Sequence, residues 1–229
     1  MQAHRIIVIT DSLGLPRRTP EFVALERTWP QLLRNALPGA CVYQLSLGGA
    51  STDDMLPQLD YLSGQDPAMV IVQAGIVDCA PRAFRRSEIA VLLATRAGRA
   101  LLNRMERSTI RLLRRIRNVS YVSERQFEKN VVQIANSFTC PVVWLGILGG
   151  ARYDELVPGI TARIAKYNAI LHRVLREQFM DLGTILGPEH FMSDAHHLNE
   201  GGHCALMRAL EQHSSFIAVR TEIMGRAPR

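Results

Sequence analysis

Five apolar runs of strand length recur along the chain, at 5–9, 41–47, 69–74, 141–148 and 180–186, with helical patterns between them. That alternation is the strongest constraint on the fold. Two parallel strands need a crossover of a dozen or more residues, usually a helix, before the chain can rejoin the sheet. Strands covered on both faces read as unbroken apolar runs and not as alternating ones. The pattern predicts a three-layer α/β/α sandwich around a mainly parallel five-stranded sheet.

Apolar spacing and start signals set the helices. Residues 20–36 carry Phe22, Val23, Leu25, Trp29, Leu32 and Leu33 at three- and four-residue spacing, with Leu37 just beyond. A shorter helix is expected over 52–62, where Asp53 and Asp54 suit a helix start. Ser123-Glu124-Arg125-Gln126 has the form of a capping box and opens a helix to about Phe138. Residues 160–178 show an amphipathic stripe from Ile160 to Leu175, and 199–216 show another. With 229 residues, 47% of them hydrophobic, the chain can bury a core without disulfide or metal. Residues 1–229 are expected to form one domain.

The four cysteines make no Cys-x-x-Cys pair, and Cys41, Cys79 and Cys140 lie in or beside apolar runs. They read as small buried hydrophobes with reduced thiols. The first apolar run ends at Asp11 after five or six residues, short of the roughly 7–15 of a secretory leader. No stretch reaches the roughly 18 apolar residues of a membrane span. A cytoplasmic protein is expected.

One segment departs from the alternation. Almost fifty residues separate Gly75 from Ser123, more than a crossover requires, and 86–117 reads mostly as helix. Residues 82–125 hold twelve arginines, no lysine and three acids, a net +9. The whole chain is +6, so the remainder carries −3. The segment is read as an arginine-rich helical insertion within the domain. It is either a solvated face with arginine stems over apolar neighbours, or a site for an anionic ligand or anionic membrane surface. Nucleic acid is disfavoured, because no aromatic residue lies between Phe84 and Tyr121 and no recognition motif is present. Nothing fixes the oligomeric state.

Chemistry concentrates at two places. Ile6-Ile7-Val8-Ile9-Thr10-Asp11-Ser12-Leu13-Gly14 is an apolar run that empties into a polar turn. This puts Ser12 at the carboxyl end of the first strand, where parallel sheets display reactive groups. A serine nucleophile needs a base, a third group to orient the base, and donors for the developing oxyanion. Asp194-Ala195-His196-His197 can supply acid and imidazole, with Asp194 able to reach the His197 imidazole across the two residues between them. A metal site is the competing reading, because His190, His196, His197 and His203 crowd Asp194. It lacks a His-Glu-x-x-His spacing, so no metal and no cofactor is implied. His203, inside the last helix, reads as a packing or capping residue.

These blocks resemble the SGNH/GDSL hydrolase family of esterases, lipases and carbohydrate deacylases. Thr10-Asp11-Ser12-Leu13 is similar to its first block, with Thr10 in place of the usual glycine. Ser46-Leu47-Gly48-Gly49 is similar to the second, Gly75-Ile76-Val77-Asp78 to the third and Asp194-Ala195-His196-His197 to the fifth. The resemblance implies a flavodoxin-like sandwich, with Ser12 as nucleophile, His197 and not His196 as base, and Asp194 as its orienting acid. It also implies an oxyanion hole built from the backbone N–H groups of Ser12 and Gly48.

Val77 stands where the family carries an asparagine, and an isopropyl group donates no hydrogen bond. Arg82 is the candidate substitute, as oxyanion donor or as a clamp on an anionic substrate; otherwise it simply begins the basic segment. Asp11, Val77, Asp78 and Arg82 are the candidate substrate contacts, with Asp78 holding either a loop backbone or Arg82. Two functions follow. One is a serine esterase or acyltransferase acting, through an acyl-enzyme, on an acylated small molecule or saccharide, anionic or phosphate-bearing, or on a lipid-linked substrate. The other is a weak or inactive binding module docking to a membrane or protein through its arginine-rich helices.

Overall fold

The computed structural model describes residues 4–150 and 152–225. In chain order the elements are β1 (His4–Thr10), α1 (Trp29–Ala36), β2 (Ala40–Ser46), α2 (Thr52–Met55), α3 (Leu59–Ser63), β3 (Met69–Gln73), α4 (Ile76–Cys79), α5 (Arg86–Ala94), α6 (Arg96–Arg104), α7 (Arg107–Arg117), α8 (Glu124–Asn136), β4 (Val142–Leu145), α9 (Tyr153–Leu156), α10 (Ile160–Leu175), β5 (Phe179–Met180), α11 (Glu200–Glu211) and α12 (Ser214–Gly225). The strands pair in parallel in the order β2-β1-β3-β4-β5. This is the flavodoxin-like order, and its winding direction reverses between β1 and β3. A crevice opens there at the carboxyl ends, where Thr10 is in register with both Ser46 and Gln73.

Successive strand residues face opposite layers. Ile7, Ile9, Val70, Val72 and Trp144 pack with Leu59, Phe127, Ile134, Tyr167 and Leu171 of α3, α8 and α10. Ile6, Val8, Ile71, Val143 and Leu145 pack with Trp29, Leu33, Leu206, Leu210 and Phe216 of α1, α11 and α12. Burying each large aliphatic side chain contributes about 1.5–3 kcal/mol. Burial on both faces explains why the central strands read as unbroken apolar runs.

Several expected elements are shorter than their apolar spacing suggested. Helix begins only at Trp29, with Pro30 in its first turn. Residues 17–23 form instead a small antiparallel bridge between Arg17 and Val23, and Phe22 and Leu25 are exposed. Helix over 52–62 breaks into α2 and α3 at Pro57, which lacks the N–H that would continue the ladder. Strand over 180–186 shrinks to Phe179–Met180, because Asp181 turns the chain by accepting the Gly183 N–H. Residues 86–117, read as mostly helical, form three helices; Thr95 caps α6 by accepting the Gly98 N–H at 3.0 Å. The last helix divides at Gln212 and His213 and runs on as α12 to Gly225. All four cysteines are free; Cys79 is buried, whereas Cys41, on edge strand β2, is exposed and Cys140 is only half-buried. Among the described residues no helix is long and apolar enough to cross a membrane.

Candidate active site

Ser12 stands where β1 ends. The Asp11 N–H donates to the Gln73 carbonyl at 3.2 Å, and Asp11 Oδ1 accepts the Leu13 N–H at 2.9 Å. These bonds wind Ser12–Gly14 into a single 3₁₀ turn. Gly14 rests against Thr10: a Cβ there would lie 2.4 Å from Thr10 Oγ1. Thr10 Oγ1 also meets Ser46 Oγ at 2.6 Å and joins the ends of β1 and β2. Asp11 is fully buried, and its Oδ2 has no partner. Burial pushes its carboxyl up to about 7.

The acid and the imidazole come from a tight loop before α11. Met192 N–H donates to the His197 carbonyl and Ala195 N–H to the Met192 carbonyl, with Ala195 at φ 61°. A left-handed alanine is uncommon, and such strain gathers at functional sites. The turn lets Asp194 Oδ1 accept the backbone N–H groups of His196 and His197, at 3.2 and 3.0 Å. Asp194 Oδ2 lies 2.6 Å from His197 Nδ1, and His197 Nε2 lies 3.1 Å from Ser12 Oγ. With Nδ1 donating to the carboxylate, Nε2 presents a lone pair to the serine. Burial pushes the Asp194 carboxyl up, but the bonds from the His197 ring and backbone outweigh it and hold it well below the usual range. Burial lowers His197, with Asp194 opposing. His196 stacks on Tyr153 at 5.0 Å and makes no bond to Ser12; burial and then His197 hold it near 4.

The structure adds a residue that sequence reasoning missed. The Arg17 guanidinium contacts His197 Nε2, so it shares that lone pair with Ser12. Its Nε has no acceptor. Only the bridge between Arg17 and Val23 brings it there, and no periodicity in 13–23 signals that bridge.

Beside Ser12 opens a cavity of about 390 Å³, walled in part by Gly49, Val77, Arg82, Arg114 and Tyr153. Its apolar side comes from α4. Gly75 begins α4 at φ 126°, and a Cβ there would come within 2.5 Å of Ile147. Glycine thus lets β3 turn sharply, aiming Val77 at the cavity and Asp78 beneath α2.

A profile of the GDSL-like lipase/acylhydrolase family matches residues 9–205. The chain belongs to this family. It is therefore an ester-hydrolysing enzyme. Solved structures share the fold over nearly the whole chain. TesA superposes with a TM-score of 0.61 at 16% identity, covering 94% of this chain and 99% of its own. The lipase/acylhydrolase from Enterococcus faecalis gives 0.60 at 16% identity, covering 97% and 96%. The extracellular lipase from Streptomyces rimosus gives 0.57 at 18%, covering 93% and 100%. No curated protein sequence matches.

Within this GDSL-like enzyme the remaining expected contacts divide. Val77 and Arg82 line the cavity. Asp11 and Asp78 do not: both are fully buried, and of the two readings of Asp78 the structure shows the loop. Its carboxylate accepts the Thr52 N–H at 3.0 Å and the Thr52 hydroxyl at 2.5 Å. Burial pushes it up to about 6. Gly48 is exposed on the turn after β2, and Gly49, at φ 74°, is the glycine that lines the cavity. Arg82 lies over the Tyr121 ring at 4.6 Å and extends one nitrogen to 3.5 Å from the Val77 carbonyl. Arg114 joins it on the wall, and the Nε atoms of both lack acceptors.

The metal reading finds little support in the side-chain bonds. Ligand atoms of Asp194, His196 and His197 lie within 4.8 Å of one another, but a cation would displace the bond between Asp194 and His197. His190 Nδ1 accepts the Gly187 N–H, and His203 Nδ1 accepts the Trp29 N–H at the start of α1.

Proposed function

We propose that this enzyme is a serine esterase or acyltransferase that works through an acyl-enzyme on Ser12. Its substrate is an acylated carbohydrate or lipid-linked molecule bearing an anionic or phosphate group. The observation that carries the mechanism is the continuous relay from Asp194 through His197 to Ser12, with bonds of 2.6 and 3.1 Å. Ser12 Oγ attacks the ester carbonyl while His197 Nε2 takes its proton. Asp194 holds the ring and stabilises the imidazolium. The carbonyl oxygen becomes an oxyanion facing the backbone N–H groups of Ser12 and of the Gly48–Gly49 turn. When the intermediate collapses, the bond to the leaving oxygen breaks and His197 returns the proton to it. Water or a sugar hydroxyl, deprotonated by His197, then attacks the acyl-Ser12 ester and frees the serine.

Val77 gives this oxyanion no side-chain donor. Removing one such donor from a protease costs about 10²–10³ in turnover. Arg82 and Arg114 supply positive charge on the same wall, and their unpaired Nε atoms favour an anionic substrate. The arginine-rich helices complement this by docking to an anionic membrane surface, where a lipid-linked substrate lies. Flotation with liposomes containing anionic lipid tests that docking; equal flotation with neutral liposomes rejects it.

A fluorophosphonate probe tests the mechanism. Wild type and His196→Ala should be labelled, and Ser12→Ala and His197→Ala should not. Labelling that survives Ser12→Ala, or is lost only with His196→Ala, overturns the proposed roles.

A further inference from the structure

A second chamber, of about 210 Å³, lies inside the insertion. Phe84, Ile89, Leu102, Met105, Ile110 and Tyr121 line it, together with Arg82 and Arg114. Those two arginines also line the cavity beside Ser12, so the chambers share a wall. Among the chamber's lining residues there is no acid, amide or hydroxyl-bearing aliphatic side chain. A sugar placed there would leave hydroxyls unpaired, which burial disfavours. An alkyl chain would gain roughly fourfold in affinity per buried methylene.

We infer that this chamber is the acyl-chain site of the enzyme. The inference rests on the reading of Ser12 as nucleophile. With the ester carbonyl at Ser12, the acyl chain runs along the apolar stems of Arg82 and Arg114 and enters between α5, α6 and α7. The Arg82 guanidinium is held on the shared wall by the Tyr121 ring at 4.6 Å and by the Val77 carbonyl at 3.5 Å, and an arginine so held packs its stem against an apolar guest. The packing of the insertion supports an apolar guest. Its helices bury no side chain: α5 and α7 have no buried residue and α6 has only Gly98. Ile89 of α5, Leu102 of α6 and Ile110 of α7 turn toward a chamber they do not fill, and an acyl chain supplies the missing contacts. The substrate class is therefore a medium-chain acyl ester in preference to an acetyl ester.

The test compares kcat/KM for p-nitrophenyl octanoate and p-nitrophenyl acetate. Wild type should favour octanoate about tenfold or more. Ile110→Trp, which fills the chamber, should lower the octanoate-to-acetate ratio at least about tenfold; an unchanged ratio overturns the inference. If Ile110→Trp does not fold, Met105→Ala enlarges the chamber and should move the preferred chain to greater length, and no movement overturns the inference equally. A readout independent of catalysis is the binding of dansyl-undecanoate to Ser12→Ala protein, which Ile110→Trp should weaken about tenfold. Hydrolysis of acetate with a flat chain-length profile and no dansyl binding rejects the chamber and retains the nucleophile. Dansyl binding without hydrolysis or fluorophosphonate labelling retains the chamber as a lipid-chain site and rejects the proposed function.

Discussion

The sandwich and its insertion are built by different rules. Every residue of β3 is buried, and β1 is buried from Ile6 to Thr10. In the insertion, Val91, Leu101, Leu112 and Ile116 are more than half exposed. It is tied down by charge instead. Arg86 forms a two-pronged pair with Asp54, and Arg117 another with Glu88. Ser12, His197 and Asp194 stand on the packed part, whereas Arg82 and Arg114 stand on or beside the charged part. Dense packing fixes the geometry that bond-making requires. Sparse packing leaves the cavity wall formed by Arg82 and Arg114 open to local rearrangement. Chemistry and recognition should therefore respond separately to mutation.

The largest expected effect is on the packed side. Ser12→Ala should lower kcat toward p-nitrophenyl acetate by on the order of 10⁵-fold with its melting temperature unmoved. Arg114→Ala should act mainly on KM. Equal losses of kcat in the two variants would erase the division between chemistry and wall. Stability should divide in the same way. Ile71→Ala removes a fully buried strand residue and should cost about 2–5 kcal/mol. Leu112→Ala, more than half exposed on α7, should stay within about 0.5 kcal/mol. Urea denaturation measures both, and a large loss at Leu112 would show that the insertion has a core after all.

These contrasts also explain what was legible in the sequence. The five strands and the covering helices announce themselves because burial on two faces forces long apolar runs and wide apolar stripes. The loop from Asp194 to His197 is legible because a turn acid reaching back to an imidazole is a local device. What failed to show depends on distant contacts. Arg17 reaches His197 through 180 residues of sequence separation. Gly49 and not Gly48 meets the cavity because of how one turn closes. Pro57 divides a helix whose stripe runs on regardless, and residues 20–28 carry apolar spacing that the structure leaves partly in solvent. The cavity wall was visible as charge, but its inner chamber was not, since apolar residues of α5–α7 occupy exposed as well as chamber-lining positions.

Titration separates the two regions by sign. Asp11 has a raised pKa, about 7 in the fold against about 3.8 ordinarily. Between those values the folded state holds a proton that the unfolded state has lost, so stability falls as pH rises from about 4 to about 7. Asp11→Asn keeps the oxygen that accepts the Leu13 N–H and removes the charge. Its stability relative to wild type, measured by urea denaturation, should therefore climb from pH 5 to pH 8 by on the order of a few kcal/mol. A parallel pair of curves would remove Asp11 as the titrating group. Arg17→Ala probes the same device in catalysis. Burial sets most of the depression of His197, and Arg17 adds to it against the pull of Asp194. Without Arg17 the imidazole holds its proton to higher pH, so the acid limb of kcat/KM should move upward in pH. A limb that stays in place would show that Arg17 does not act on His197.

The smallest pH-dependent effect belongs to the anchor of the insertion. The Arg86 guanidinium, and then the Ser51 N–H and hydroxyl, hold Asp54 down to about 2. A depressed carboxyl stabilises the fold above its unfolded value and loses that contribution as pH falls from about 4 to about 2. This is the reverse of Asp11, which destabilises as pH rises. Both partners of the pair are about 40% exposed, so solvent screening limits its worth to about 0.2–1 kcal/mol. Arg86→Ala should cost that much at pH 7 in low salt, less in 1 M salt, and only a small part of it by pH 2, where half of the Asp54 carboxyls are protonated. If the loss instead reached the level of Ile71→Ala, the insertion would be held by the same cooperative packing as the sheet. The sparse burial of α5–α7 would then have another cause than an unfilled chamber.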